Sequence, residues 1–148
     1  MSWLIDHIGS LTDKTSIVDQ FGVFSYANLF TQIRLYKSQL DKEFTDNKVV
    51  AILSDYSVYS IAVFLALLQK KTIIVPIVST NDEEVEKRLQ VVNCDWVIQL
   101  DKSNLQLVQR NKSGNHFMIQ SLVGSNQAGL ILFSSGSTGE PKAMIHNL

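Results

Sequence analysis

The sequence predicts an α/β fold, a mostly parallel sheet flanked by helices. Two short β-branched runs, residues 49–53 and 73–78, are separated by an apolar segment of helical length. A third run, 96–100, follows a segment of helical period. A fourth, 128–133, ends in a loop of Ser, Thr and Gly. Strands alternating with helices argue parallel pairing through right-handed crossovers.

Each element has a local reason. Residues 3–8 read as a short amphipathic helix, and 16–19 and 23–25 as two strands about a turn with Gly22. From Tyr26 the period changes, and Leu29, Phe30, Ile33, Tyr36 and Leu40 recur at helical spacing to about Glu43. Asp46 and Asn47 make a turn. Residues 49–53 form a continuous apolar run, as a strand buried on both faces requires. Ser54, Asp55 and Ser57 are cap candidates for a helix over 58–69, which is apolar nearly all round and therefore buried on several sides. After the 73–78 strand, Thr80 and Glu83 fit a capping box. Val85, Leu89 and Val92 form the apolar stripe of the next helix, with Glu83–Lys87 and Glu84–Arg88 as i,i+4 pairs on its wet face. Residues 101–115 are polar and ambiguous, 116–120 read as a short strand, and 124–127 as a turn. Met144 and Ile145 begin one more strand after the loop.

Composition narrows the function classes. A chain of 148 residues suffices for one domain that buries about 70% of its unfolded surface. The net charge of −1 offers no basic field for nucleic acid. The longest apolar run, 61–68, is too short to span a bilayer. The single cysteine, Cys94, cannot form an internal disulfide; with no signal peptide in view, a cytoplasmic setting is expected. Cys94 itself reads as a buried inert thiol, and Tyr26 as a core aromatic.

Chemistry concentrates in the loop after Phe133. Gly136 and Gly139 let backbone N–H groups approach an anion, and successive amides of such a turn form a nest for phosphate oxygens. Ser134, Ser135, Ser137 and Thr138 add hydroxyl donors, Lys142 adds a mobile cation, and Pro141 stiffens the return. Ligands of parallel sheets sit at the carboxyl ends of strands, where this loop begins. The Walker pattern does not apply: Gly124 and Gly129 have its glycine separation, but Leu130 and Ile131 stand where Lys and Ser/Thr are needed.

Residues 133–143 resemble the signature of the adenylate-forming (AMP-binding) superfamily, [YF]-[TS]-S-G-[ST]-T-G-x-P-K-[GA], at every position. That superfamily comprises acyl-CoA synthetases, adenylation domains of peptide synthetases and luciferase-type enzymes. Two further segments are similar to family segments: Phe24-Ser25-Tyr26-Ala27-Asn28-Leu29, and Leu67 to Pro76. In the second, Lys71 stands where the family has a glycine that ends a helix in a left-handed conformation.

The resemblance implies the N-terminal part of the large domain of the acyl-CoA synthetase-like fold, with residues 1–148 ending just after a phosphate loop at 134–142. It implies that Ser134, Ser135, Gly136, Ser137, Thr138, Gly139 and Lys142 hold the phosphates of ATP, that Lys142 also serves catalysis, and that no metal ligand lies in this chain. It further implies Mg²⁺, a carboxylic acid substrate, and CoA or a phosphopantetheine thiol as acyl acceptor. His146 resembles the histidine that often follows the signature; Ala143 and the Met-Ile-His after it lean toward acyl-CoA synthetases. The family groups that grip the metal, the ribose and the acyl chain lie downstream of such a segment, so the chain by itself is expected to be inactive and to self-associate. The alternatives are a non-catalytic phosphate- or nucleotide-binding module, or an interaction domain whose loop is incidental.

Overall fold

The helical period that begins at Tyr26 becomes α2, Tyr26–Glu43, with Leu29, Ile33, Tyr36 and Leu40 on its buried stripe. The structure, a computed structural model, describes residues 2–110, 114, 116–134 and 139–148. Before α2 come a helix α1 (Ser2–Ser10) and a two-stranded antiparallel ribbon, β1 (Thr15–Asp19) with β2 (Gly22–Ser25). After it the alternation is β3 (Val49–Leu53), α3 (Val58–Gln69), β4 (Ile73–Ile77), α4 (Asp82–Val92) and β5 (Trp96–Asp101). Then follow β6 (Asn104–Gln109), α5 (Phe117–Gly124), β7 (Gly129–Ser134) and β8 (Lys142–Asn147).

The main sheet has the order β6-β5-β3-β4-β7-β8. Its four inner strands are parallel, and both edge strands, β6 and β8, run antiparallel to their neighbours. Alternate residues of each strand serve two different cores. Val50, Ile52, Ile74 and Ile98 face α1, α2 and α3, whereas Val49, Ala51, Val75 and Val97 face α4 and α5 with Leu89, Val92 and Ile119. This two-sided burial is why the inner strands read as continuous apolar runs instead of alternating ones.

Three sequence expectations change. Residues 116–120 are not a strand: they open helix α5, capped by His116, whose Nδ1 accepts from the Met118 N–H. Ile119, Leu122 and Val123 then meet the core at helical spacing. The ambiguous stretch after Leu100 contains β6, which pairs with β5 over its whole length through a turn in which Lys102 has φ +53°. The cap of α4 is Asn81, not Thr80, with its side-chain oxygen accepting from the Glu84 N–H at 3.0 Å.

One backbone detail shapes the carboxyl end of the parallel strands. The Ile73 N–H bonds to Lys48 on the β3 side, whereas the Thr72 carbonyl accepts from Gly129 on the β7 side. Odd residues of β4 therefore serve β3 and even residues serve β7. Pro76 is even and has no N–H to give. Pairing of β4 with β7 stops at Ile74↔Leu130, and beyond it the two strands part. The opening, on the α3 face, is an apolar groove of about 260 Å³ lined by Phe64, Pro76, Val78, Leu130 and Leu132 among others.

Candidate functional site at the carboxyl end of the sheet

Since β3, β4, β5 and β7 are parallel, their last residues, Leu53, Ile77, Asp101 and Ser134, end on one side of the sheet. Ser134 closes β7 and Lys142 opens β8, and the two are paired across the ladder, with Phe133 opposite Ala143. Backbone pairing thus brings the two ends of the signature together, and residues 135–141 form the connection. Ser135, Gly136, Ser137 and Thr138 lie outside the described residues.

Directly paired residues share a face of the sheet. Lys142, Met144 and His146 share one with Ser134, Leu132 and Leu130, while Ala143 and Ile145 share the other with Phe133 and Ile131. Ile131 and Phe133 belong to the core on the α4 side. Lys142 is exposed and makes no ion pair with the described residues, and Ser134 is half-buried. Gly139 has φ +77°, a left-handed conformation, and open space where a Cβ would stand. An L side chain would be strained there, which is a physical reason for glycine at the loop's return. His146 is exposed on the edge strand opposite Leu130.

On the α4 side, Ser134, Gly139, Glu140 and Pro141 face the first turns of that helix across a groove of about 360 Å³. The helix contributes Asn81, Glu83, Glu84, Lys87 and Arg88. Arg88 is ion-paired with Glu84, and its guanidinium carbon lies 5.4 Å from the centroid of the Phe133 ring. Lys87 pairs with Glu83 at 2.9 Å. The hydrogen bond from Lys87 holds Glu83 below the usual carboxylate range. Its counterpart, with a smaller contribution from Glu140, holds Lys87 above the usual lysine range. The sequence shows Arg88 only as half of a helix-surface pair. Its place over the first residue of the signature depends on α4 lying across β7, which no local pattern encodes.

No group of three or more His, Cys, Asp or Glu able to hold a metal ion occurs among the described residues.

No protein-family model matches the chain, and no curated protein matches it by sequence. Its fold, however, is similar to solved structures. The N-terminal subdomain of NpsA from Klebsiella oxytoca, in complex with 3-hydroxybenzoyl-AMSN, superposes with a TM-score of 0.70 at 21% identity, over 96% of this chain and 39% of that one. An artificially fused adenylation-PCP di-domain, NpsA-ThdA from the same organism, matches with a TM-score of 0.68 at 21% identity, over 96% and 31%. The complex of VinN with L-aspartate matches at 0.69 and 17% identity, over 96% and 46%. This chain therefore spans about two fifths of the NpsA subdomain. In fold, the chain is an α/β unit like that of the N-terminal subdomain of an adenylation domain, the architecture that the signature at residues 133–143 implied.

Proposed function

We propose that residues 1–148 are the N-terminal portion of an ATP-dependent acid-activating ligase, with residues 134–142 as its phosphate loop. The observation that carries this is the placement of the signature: Ser134 and Lys142, which bound the proposed loop, are paired at the carboxyl end of a parallel strand. The donor set suits a polyphosphate. It combines an open left-handed glycine, hydroxyls and a cation that no described carboxylate neutralises.

ATP, when bound, supplies the adenylyl group that a carboxylate captures, with pyrophosphate leaving. The chain's own part is electrostatic. Ser134, Ser135, Ser137 and Thr138 donate hydrogen bonds to phosphate oxygens, and Gly136 and Gly139 allow close backbone approach. Lys142 offsets the charge that grows on the departing pyrophosphate. Mg²⁺ is the proposed metal partner of the phosphates, with an acid of the complete ligase outside residues 1–148 proposed to help hold it. A thiol, of CoA or of phosphopantetheine, is the proposed acceptor of the acyl group. The chain alone is expected to release no pyrophosphate when given ATP, magnesium and a panel of carboxylic acids.

No described helix is long and apolar enough to cross a membrane. With one buried cysteine, the setting we propose is the cytoplasm. Self-association is also expected, since β8 is an edge strand whose Met144 is 47% exposed and a free edge recruits further strands. Light scattering across protein concentration tests it, and a monomer at every concentration refutes it.

ATP–pyrophosphate exchange tests the main proposal. A hydrogen bond to a charged group is worth about 1.5–3 kcal/mol, so Lys142→Ala should lower kcat/KM for ATP roughly 10- to 150-fold in the protein that carries this chain. Exchange at the wild-type rate in that variant would remove Lys142 from the site.

A further inference from the structure

We propose that Arg88 is a positioning residue for the phosphate loop, acting through the ring of Phe133; the inference rests on the function proposed above. Phe133 is the aromatic that opens the signature, and its neighbour Ser134 is the last residue of β7. Its ring belongs to the α4 side of the sheet, where Arg88 lies over it at 5.4 Å. A guanidinium within about 6 Å of a ring centroid is attracted to its face.

Simple attraction of phosphate is a poor account of Arg88. Its charge is already answered by Glu84, and the same groove presents Glu83 and Glu140. The Arg88 side chain is only 20% exposed, and its Nε is buried without a partner among the described residues. Leaving a buried donor unpaired is unfavourable, so the side chain is held there by something else. The Phe133 face and the Glu84 carboxylate are the contacts that hold it. Asn81 and Ser79 fix Glu84 in turn, the first through the Glu84 N–H and the second through Oε2 at 2.9 Å. A chain of contacts thus runs from the cap of α4, through Glu84 and Arg88, to the ring at the root of the loop. It sets the direction in which Ser134 leaves the sheet. Lysine would keep the charge and could keep the Glu84 pair, but it lacks the planar face that covers the ring.

The test is titration of the chain with inorganic tripolyphosphate, followed by the amide signals of Ser134 and Gly139 in NMR spectra. Wild type should saturate, and Lys142→Ala should weaken binding. Arg88→Lys and Phe133→Leu should each weaken binding about tenfold, and the double variant no further, since both remove one contact. Phe133→Tyr should bind as wild type does. The ring protons of Phe133 should shift in Arg88→Lys and stay in place in Lys142→Ala, a readout that general loss of stability does not mimic. Wild-type affinity in Arg88→Lys beside a weakened Lys142→Ala would overturn the role of Arg88 and leave the phosphate loop standing. Additive losses in the double variant would also overturn it. Absence of any tripolyphosphate binding by wild type would remove the phosphate loop and this inference with it.

Discussion

Helices α3 and α4 hold equivalent places in the chain, each following a parallel strand and crossing to the next, yet they are built for opposite tasks. Nine residues of α3 are buried, from Val58 to Leu68, and it has a capping box at its start and a Lys70 N–H bonded back to Leu67 and Leu68 at its end. Only Leu89 and Val92 of α4 are buried, and its other face carries ion pairs. The first is scaffold: it fills the core between α2 and the sheet. The second is thin cover whose charged side chains stand beside the loop that leaves β7. The contrast puts the charged groups beside the proposed site on the helix that contributes less to the core.

The N-termini make the same point. The α3 box is formed by Ser57 and Ser60, and the Asp19 carboxylate from the β1–β2 ribbon adds an acceptor for the Val58 N–H at 2.7 Å. At α4, Asn81 caps alone in the exposed first turn, with Asp82, Glu83 and Glu84 meeting the positive end of the helix dipole.

Truncation in α3 should break the comparison most visibly. Leu67 is fully buried, so Leu67→Ala should lower unfolding free energy by about 2–5 kcal/mol in urea melts, whereas Val91→Ala on the exposed side of α4 should stay within about 0.5 kcal/mol. Equal losses would mean that α4 is as much a part of the core as α3. Asp19→Ala comes next. It leaves the Val58 N–H at the start of α3 and the Phe21 N–H in the β1–β2 turn without a charged acceptor and should cost about 2 kcal/mol, by the same measurement. Ser57→Ala and Asn81→Ala should each cost about 1 kcal/mol. Only the second is expected to alter tripolyphosphate affinity, because it loosens Glu84.

The smallest expected effect has the opposite sign. Lys71 has φ +52°, and it ends α3 in a Schellman turn: Thr72 N–H bonds to Leu67 and Lys71 N–H to Leu68. A non-glycine residue in this conformation is strained by about 1–2 kcal/mol, part of which glycine returns through its freer unfolded chain. Lys71→Gly should therefore raise stability by up to about 1 kcal/mol. A fall would show that the lysine side chain contributes more than its backbone loses.

Much of this was legible in the sequence because it is periodic or locally complete. The boundaries of α2, β3 and α3 follow from apolar spacing and from cap residues next to them in the chain. The pairs Glu83–Lys87 and Glu84–Arg88 follow from the helical turn alone. At Lys71 the family glycine left two outcomes open, a left-handed residue or a different helix end, and the structure has the first. The loop signature is a contiguous string, so the phosphate chemistry proposed for it could be expected before any fold was known.

Only the tertiary structure decided the rest. A short apolar run such as Phe117 to Ile119 fits a strand or a buried helix equally well, and the adjoining core, reached by Leu122 and Val123, selected the helix. Strand β6 exists because β5 offers it a ladder, not because its own pattern demands one. Lys70 is nearly buried, held by Asp41 and Asp46 at 2.8 and 3.3 Å and lying over the Phe44 ring, partners that no local pattern names. Arg88 meets Phe133 across a distance of more than forty residues in the chain. Periodicity and capping depend on neighbours within a turn or two, and sequence records those. Burial of a charge, choice of an edge partner and the contact between helix and loop depend on groups that meet only when the sheet assembles.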